Sequence, residues 1–368
     1  MVEQAHKITL TSRAFHNDQM GMTAEFLTTL LGYDKMLPMN TGVEACETAV
    51  KLARRWGYRS KGIPDNQAKV VMCNGNFWGR SITASGACDD PQRYAHFGPF
   101  TPGFPLVDYN DVDALRGVLE KDPHVCAVMF EPIQGEGGVI VPAHDYLRRV
   151  KELCKKHNVL LVLDEVQTGF GRTGKLMAHH WEEGVKPDIV AVGKALSGGT
   201  MPVSAAFADD HIMMHIKPGD HGSTYGGNPL GMAVARVAIQ TLLEERMVEN
   251  ALAMGDLFQE QLSSIRSPLI KETRGRGLFR AVETVHDAHV KGDDLAYILM
   301  KLGLLTKASH DFSIRLAPAL NIKENEILEA SKIIKEGVKE FEKLNNERVK
   351  SGNKSSSNKQ NSQNNLHI

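Results

Sequence analysis

No charge of one sign dominates this chain. Its 43 Lys and Arg stand against 44 Asp and Glu, for a formal net charge of -1. Electrostatics therefore offers no case for nucleic acid or an anionic lipid surface as the main partner. Long apolar runs are missing too. None approaches the roughly 20 residues needed to span a bilayer, so no membrane association is expected. Cysteine is sparse and scattered, at Cys46, Cys73, Cys88, Cys126 and Cys154, with no C-x-x-C pair. That spacing implies buried thiols in a reducing compartment, with neither a disulfide framework nor a metal site. The opening Met1-Val-Glu-Gln-Ala-His is neither a secretory signal nor an Arg-rich transit peptide, which points to the cytoplasm for the chain as written. No internal repeat is visible.

What is present is an ordinary globular composition, 42% hydrophobic and 24% charged over 368 residues. That length can hold more than one compact unit. Ala68–Cys73, Cys126–Phe130, Val159–Leu163, Ile189–Val192 and Val203–Phe207 read as strands, with amphipathic segments such as Tyr146–Lys156 between them. The alternation predicts an α/β fold, a mostly parallel central sheet covered by helices on both faces. A long helical pattern runs from Asn228 towards Leu262. Short strands at Gly277–Val282 and Ser313–Leu316 and a helix at Glu324–Leu344 predict a smaller C-terminal α+β domain. The expected boundaries are 1–255 for the large domain and 256–345 for the small one. Residues 346–368 are low-complexity polar sequence with nothing to bury, expected to be disordered.

In such a sheet, ligands sit beyond the carboxyl ends of the strands. Glu131, Asp164 and Lys194 fall at that end of their runs. An Asp after one strand is commonplace, and a lone Lys there is most simply a solvated surface residue. Three polar groups at one edge, followed by the small Ser197-Gly198-Gly199, weigh the other way. A lysine so placed can form a Schiff base with an aldehyde, and an aspartate on a neighbouring strand can keep a pyridine nitrogen protonated. Together they are the minimum equipment for pyridoxal 5'-phosphate chemistry. In that reading Lys194 holds the cofactor and then serves as general base. Asp164 pairs with the ring nitrogen, and Gln167 hydrogen-bonds the phenolic oxygen.

A phosphate needs backbone donors at a helix start. Thr41 can cap an amphipathic helix running to Arg55, and Gly42 lets its backbone approach an anion. Taken alone, that is an ordinary helix N-terminus. Ser223 and Thr224 lie in a stretch dense in hydroxyls and glycines that suits a second phosphate contact or is a plain loop. Phe77 can stack on a flat heterocycle and Arg80 can bind a carboxylate. Equally, the two are a core aromatic beside a surface arginine. Gly169-Phe-Gly171-Arg-Thr-Gly174 matches the dinucleotide fingerprint, but Asp164 to Thr168 intervene between strand and first glycine, so the tight turn it requires is absent. His179-His180 shows no metal-ligand spacing and reads as helix surface.

Leu163-Asp-Glu-Val-Gln-Thr-Gly-Phe-Gly-Arg-Thr-Gly174, followed by Lys194-Ala-Leu-Ser-Gly-Gly199, resembles the signature of the class III aminotransferases of fold type I. Within that class the chain is most similar to the ornithine aminotransferases. Leu37 to Ala45, Gly75-Asn-Phe-Trp-Gly-Arg80, Phe97 to Gly103, Glu131-Pro-Ile-Gln-Gly-Glu136, Ile216 to Pro229 and Ile314-Arg-Leu-Ala-Pro318 carry the likeness. The resemblance implies transfer of the δ-amino group of ornithine to 2-oxoglutarate. A relative acting on acetylornithine or 4-aminobutyrate, or an inert truncated product, is the alternative. It implies phosphate contacts at Gly42, Val43, Ser223 and Thr224, the last given by the other subunit of a homodimer, and ring stacking by Phe77. It also implies a substrate-side set of Arg80, Glu136 and Arg315. Arg315 would bind the α-carboxylate of glutamate or 2-oxoglutarate, and Glu136 would neutralise it when ornithine is bound. The family's animal members are mitochondrial. Against the family pattern, the sequence begins after an N-terminal segment that supplies a substrate loop and part of the dimer interface. Weak activity is therefore expected of the chain alone.

Overall fold

A computed structural model describes the backbone of residues 1–12 and 14–363, and the side chains of those up to Ser351. The chain forms two compact units, Met1–Glu249 and Asn250–Ile368. The division falls slightly ahead of the expected boundary at 255.

The first unit is built on seven strands: β1 (Lys35–Met39), β2 (Lys69–Cys73), β3 (Leu106–Val107), β4 (Val125–Phe130), β5 (Leu160–Asp164), β6 (Ile189–Val192) and β7 (Ser204–Ala208). Their order is β1-β7-β6-β5-β4-β2-β3. From β3 to β6 every pairing is parallel, while β7 runs antiparallel to both β6 and β1. The central strands β4, β5 and β6 are almost wholly apolar because helices cover both faces. Alternate residues separate cleanly. Val70, Met72, Ala127, Met129 and Val162 pack with Ala45, Ala49, Leu52 and Ala53 of helix Gly42–Trp56. Val71, Cys73, Val128, Phe130, Leu161 and Leu163 pack with Leu115 of helix Val112–Lys121 and with Leu147 and Val150 of helix Tyr146–Lys156. Each fully buried Val, Leu, Met or Phe among them contributes about 1.5–3 kcal/mol.

Helix Gly42–Trp56 starts with a capping box, in which Thr41 Oγ1 accepts from Glu44 N while Glu44 Oε2 accepts from Thr41 N at 2.7 Å. Two terminal donors are satisfied at once, and the helix start is fixed against the carboxyl edge of the sheet. Several elements escape the sequence pattern, two of them on either side of Tyr33. One is helix Asp18–Leu31. The other is β1, which contains Pro38 and is tolerated because it lies at the sheet edge. The periodic stretch after Asn228 is two helices, Pro229–Glu244 and Met247–Ser263, interrupted at Arg246, whose φ is 52°.

The second unit holds an antiparallel sheet ordered β10-β11-β9-β8, with β8 Ile270–Arg276, β9 Phe279–Thr284, β10 Lys307–Ser309 and β11 Ser313–Leu316. Phe258, Leu262, Val282, Leu295, Leu299, Ile314, Ile334 and Phe341 form its core. The final helix is Glu324–Gln363. Residues 346–351 continue it, and Arg348 pairs with Asp294 at 2.7 Å, so the irregular tail expected from 346 does not begin there. The side chains of the rest of that stretch lie outside the described residues. Among the described residues no helix is long and apolar enough to cross a membrane.

Two glycines test this packing in opposite directions. A Cβ on Gly255 would sit 2.3 Å from the backbone of Gly277, and backbone cannot step aside. Gly255→Ala should therefore cost at least about 1–3 kcal/mol. Gly21, inside helix Asp18–Leu31, has nothing within 4 Å of a Cβ, so Gly21→Ala should stabilise by about 0.4–1 kcal/mol. Urea denaturation midpoints measure both.

Candidate active site

Because β4, β5 and β6 are parallel neighbours, their carboxyl ends share one edge. Glu131 follows β4, Asp164 closes β5, and Lys194 follows β6 after a single glycine. Gly42, Val43, Phe77, Asp164, Gln167 and Lys194, all singled out from the sequence, line one pocket of about 220 Å³ with Trp78, Gly79, Glu131 and Val166.

Close backbone approach makes the pocket. A Cβ on Gly42 would meet Val166 Cγ1 at 2.7 Å, and one on Gly79 would meet Val43 Cγ2 at 2.3 Å. The helix start can thus reach the strand edge only where side chains are absent. Lys194 has φ of 40°, in the left-handed region that non-glycine residues adopt at a cost. Strain of that kind is common where a side chain must be aimed. Lys194 is exposed, whereas the strand behind it is wholly buried.

Asp164 is 4% exposed. Its Oδ1 accepts from Val166 N at 2.9 Å, and its Oδ2 from Cys46 Sγ at 3.3 Å. Burial pushes its carboxyl above the usual range, and the Val166 N–H, the Lys194 ammonium and the Cys46 thiol pull it only part of the way back. Glu131 accepts from Phe77 N at 3.2 Å and Gly135 N at 3.0 Å. Burial, followed by the neighbouring Asp164, pushes it up to about 8. Two desolvated carboxyl groups with raised pKa beside one lysine mark the pocket as a candidate functional site. Cys46 was legible only as a buried thiol. Its position four residues after Gly42, on the helix that opens the pocket, is the signal that would have tied it to Asp164.

The remaining predicted residues do not line this pocket. Ser223 Oγ accepts from Asn40 Nδ2 at 2.7 Å and from Gly226 N at 3.1 Å. Thr224 and Arg80 are exposed, and Glu136 is half-buried on the loop after β4. The guanidinium of Arg80 lies 5.8 Å from the Phe77 ring centroid, and that of Arg93 4.9 Å. Arg315 is half-buried on β11 of the second unit.

His179 corrects the sequence reading. It is buried rather than on a helix surface, and its Nδ1 lies 2.9 Å from Glu165 Oε1. Glu165 is fully buried and also accepts from Thr168 Oγ1, Ala178 N and His179 N. Burial alone would raise its carboxyl, yet these partners leave it below the usual range. A buried carboxylate needs such donors, and the adjacent histidine supplies two. His180 is exposed on the same short turn. The glycines from Gly169 to Gly174 form tight turns, and no helix starts among them. Among the described residues no group of three or more His, Cys, Asp or Glu could hold a metal ion.

A family model for class-III aminotransferases matches residues 1–338. The mitochondrial ornithine aminotransferase of Drosophila melanogaster is 52% identical over 338 residues, covering 92% of this chain and 78% of its own length. That of Rattus norvegicus is 51% identical over 341 residues, covering 93% and 77%. Among solved structures, the ornithine aminotransferase from Toxoplasma gondii ME49 superposes with a TM-score of 0.91 at 46% identity, covering 93% of this chain and 82% of its own. A second structure of the Toxoplasma gondii enzyme is described as having partial occupancy of PLP at its active site.

The raised Glu131 pKa fixes a pH dependence. The folded chain holds this proton more tightly than the unfolded chain, whose carboxyl has the ordinary value of 4.5. The resulting stability is present in full below 4.5 and is lost as pH rises through about 8. In the cofactor-free protein, Glu131→Gln should abolish that contribution. The stability difference should move in the variant's favour between pH 5 and pH 8. Melting temperatures of both proteins across this range check it, and a flat difference contradicts the assignment.

Proposed function

This chain belongs to the class-III aminotransferases, and from that premise we propose that it transfers the δ-amino group of L-ornithine to 2-oxoglutarate, giving glutamate 5-semialdehyde and glutamate. The cofactor is pyridoxal 5'-phosphate. The observation that carries the reading is the pairing, in one glycine-walled pocket, of an exposed Lys194 with a buried Asp164 whose carboxyl is held above the usual range by burial.

The residues fit that cofactor. Asp164 suits a protonated ring nitrogen, because a cation there relieves the cost of its burial. The capped helix start at Gly42 and Val43 presents backbone N–H groups for a phosphate. Phe77 lines the pocket and offers a face to a flat ring. When bound, pyridoxal phosphate supplies an aldehyde that an amine can capture and a ring that withdraws electrons from the carbon losing its proton.

Each side chain then has a physical task. Lys194 would hold the cofactor and, once displaced by the substrate amine, carry a proton on Nζ between the two carbons that exchange it. Asp164 would keep the ring nitrogen protonated, and Gln167 would hydrogen-bond the phenolic oxygen. Ser223, and Thr224 of the partner subunit in a homodimer, would complete the phosphate contacts. Arg80 would bind the remote carboxylate of the substrate, Glu136 would sit on the substrate side, and Arg315 is assigned to the α-carboxylate of glutamate or 2-oxoglutarate. The assignments of Thr224, Glu136 and Arg315 rest on the resemblance to the family.

Two variants test the reading. Borohydride reduction of the loaded protein should leave a stable label on Lys194, absent in Lys194→Ala, as peptide mapping would show. A label on Lys175 instead would refute the site. Asp164→Asn removes a buried charge-assisted hydrogen bond of about 1.5–3 kcal/mol. The ornithine half-reaction should slow by about one to two orders of magnitude in single-turnover measurements, at roughly 1.4 kcal/mol per decade. An unchanged rate would remove Asp164 from the mechanism.

A further inference from the structure

Glu131 stands between two loops that the site needs. One follows β2 and carries Phe77, Trp78 and Arg80. The other follows β4 and carries Glu136. Oε1 of Glu131 accepts from Phe77 N at 3.2 Å, and Oε2 accepts from Gly135 N at 3.0 Å. The residue is 5% exposed and lines the pocket. The same loops meet nearby, where Gln134 Nε2 donates to the Asn74 carbonyl at 2.7 Å. A Cβ on Gly137 would lie 3.2 Å from the Gly75 carbonyl oxygen. At this contact the two backbones leave little room for a side chain.

We propose that Glu131 is a positioning residue whose one carboxyl latches the Phe77 loop to the Glu136 loop. The latch holds the ring-facing aromatic and the substrate-side carboxylate in fixed register. It stands on the geometry, and its consequence for the cofactor rests on the function proposed above. A carboxyl presents an oxygen to each N–H whether or not it is ionised. A glutamine presents one oxygen and turns an NH₂ donor against the other N–H.

Amide hydrogen exchange on the cofactor-free protein tests the latch directly. In Glu131→Ala, peptides containing Phe77 and Gly135 should both exchange about tenfold faster, as expected for a lost hydrogen bond to a buried carboxyl. In the near-isosteric Glu131→Gln at least one of them should, while peptides from β5 and β6 keep wild-type rates. Unchanged exchange in both loops overturns the proposal. So does a uniform rise across the whole unit, which is what a merely structural role would give. Pyridoxal phosphate retention, measured on the same proteins, should weaken about tenfold with the loosened Phe77 loop. Unchanged retention in a variant with loosened loops also overturns the positioning role. Failure of the wild-type protein to bind pyridoxal phosphate would count against the proposed function, and the exchange data would still decide the latch.

Discussion

A carboxyl buried at the end of a parallel strand is the constraint on which this site depends. Asp164 closes β5 at 4% exposure, with a backbone N–H and a thiol as its hydrogen-bond donors. Neither carries a full positive charge, so the ionised form is poorly compensated and the pKa rises. The arrangement is costly in the empty protein and favourable once a cation faces it. Under the proposed function, fold stability and cofactor affinity would meet in one side chain.

The surroundings follow from keeping that carboxyl dry while leaving one side open. Val166 packs between Gly42 and Gly193, whose missing side chains let the helix start, β5 and β6 converge. Immediately beyond Asp164, Glu165 turns the other way and is anchored by His179, Thr168 and two backbone N–H groups. Adjacent carboxylates on one strand end therefore have opposite environments. Burial wins at Asp164, and hydrogen bonds win at Glu165. One remains available to a ligand, while the other pins the loop carrying Gln167.

Much of this was legible because parallel strands covered on both faces are continuous apolar runs. Ile189–Val192 and Ser313–Leu316 coincide with β6 and β11 to the residue. Asp164 and Lys194 were legible because they end such runs. β1 was not, since its Pro38 argues against a strand until the sheet order shows that it lies at an edge. His179 was misplaced because local sequence cannot reveal the buried Glu165 that recruits it from fourteen residues away. The bridging role of Glu131 depends likewise on tertiary proximity, which no local pattern encodes. The resemblance to a family supplied Glu136 and Arg315, for which composition and periodicity offered nothing.

The central claim is that Asp164 exists to hold a proton on a ring nitrogen. The most direct measurement is the ¹⁵N chemical shift of ring-labelled pyridoxal phosphate bound to this protein, at a pH where the free cofactor's ring nitrogen is unprotonated. The account predicts a protonated nitrogen in the wild-type protein and an unprotonated one in Asp164→Asn. An unprotonated ring nitrogen in the wild-type protein, or the same shift in both, would contradict it.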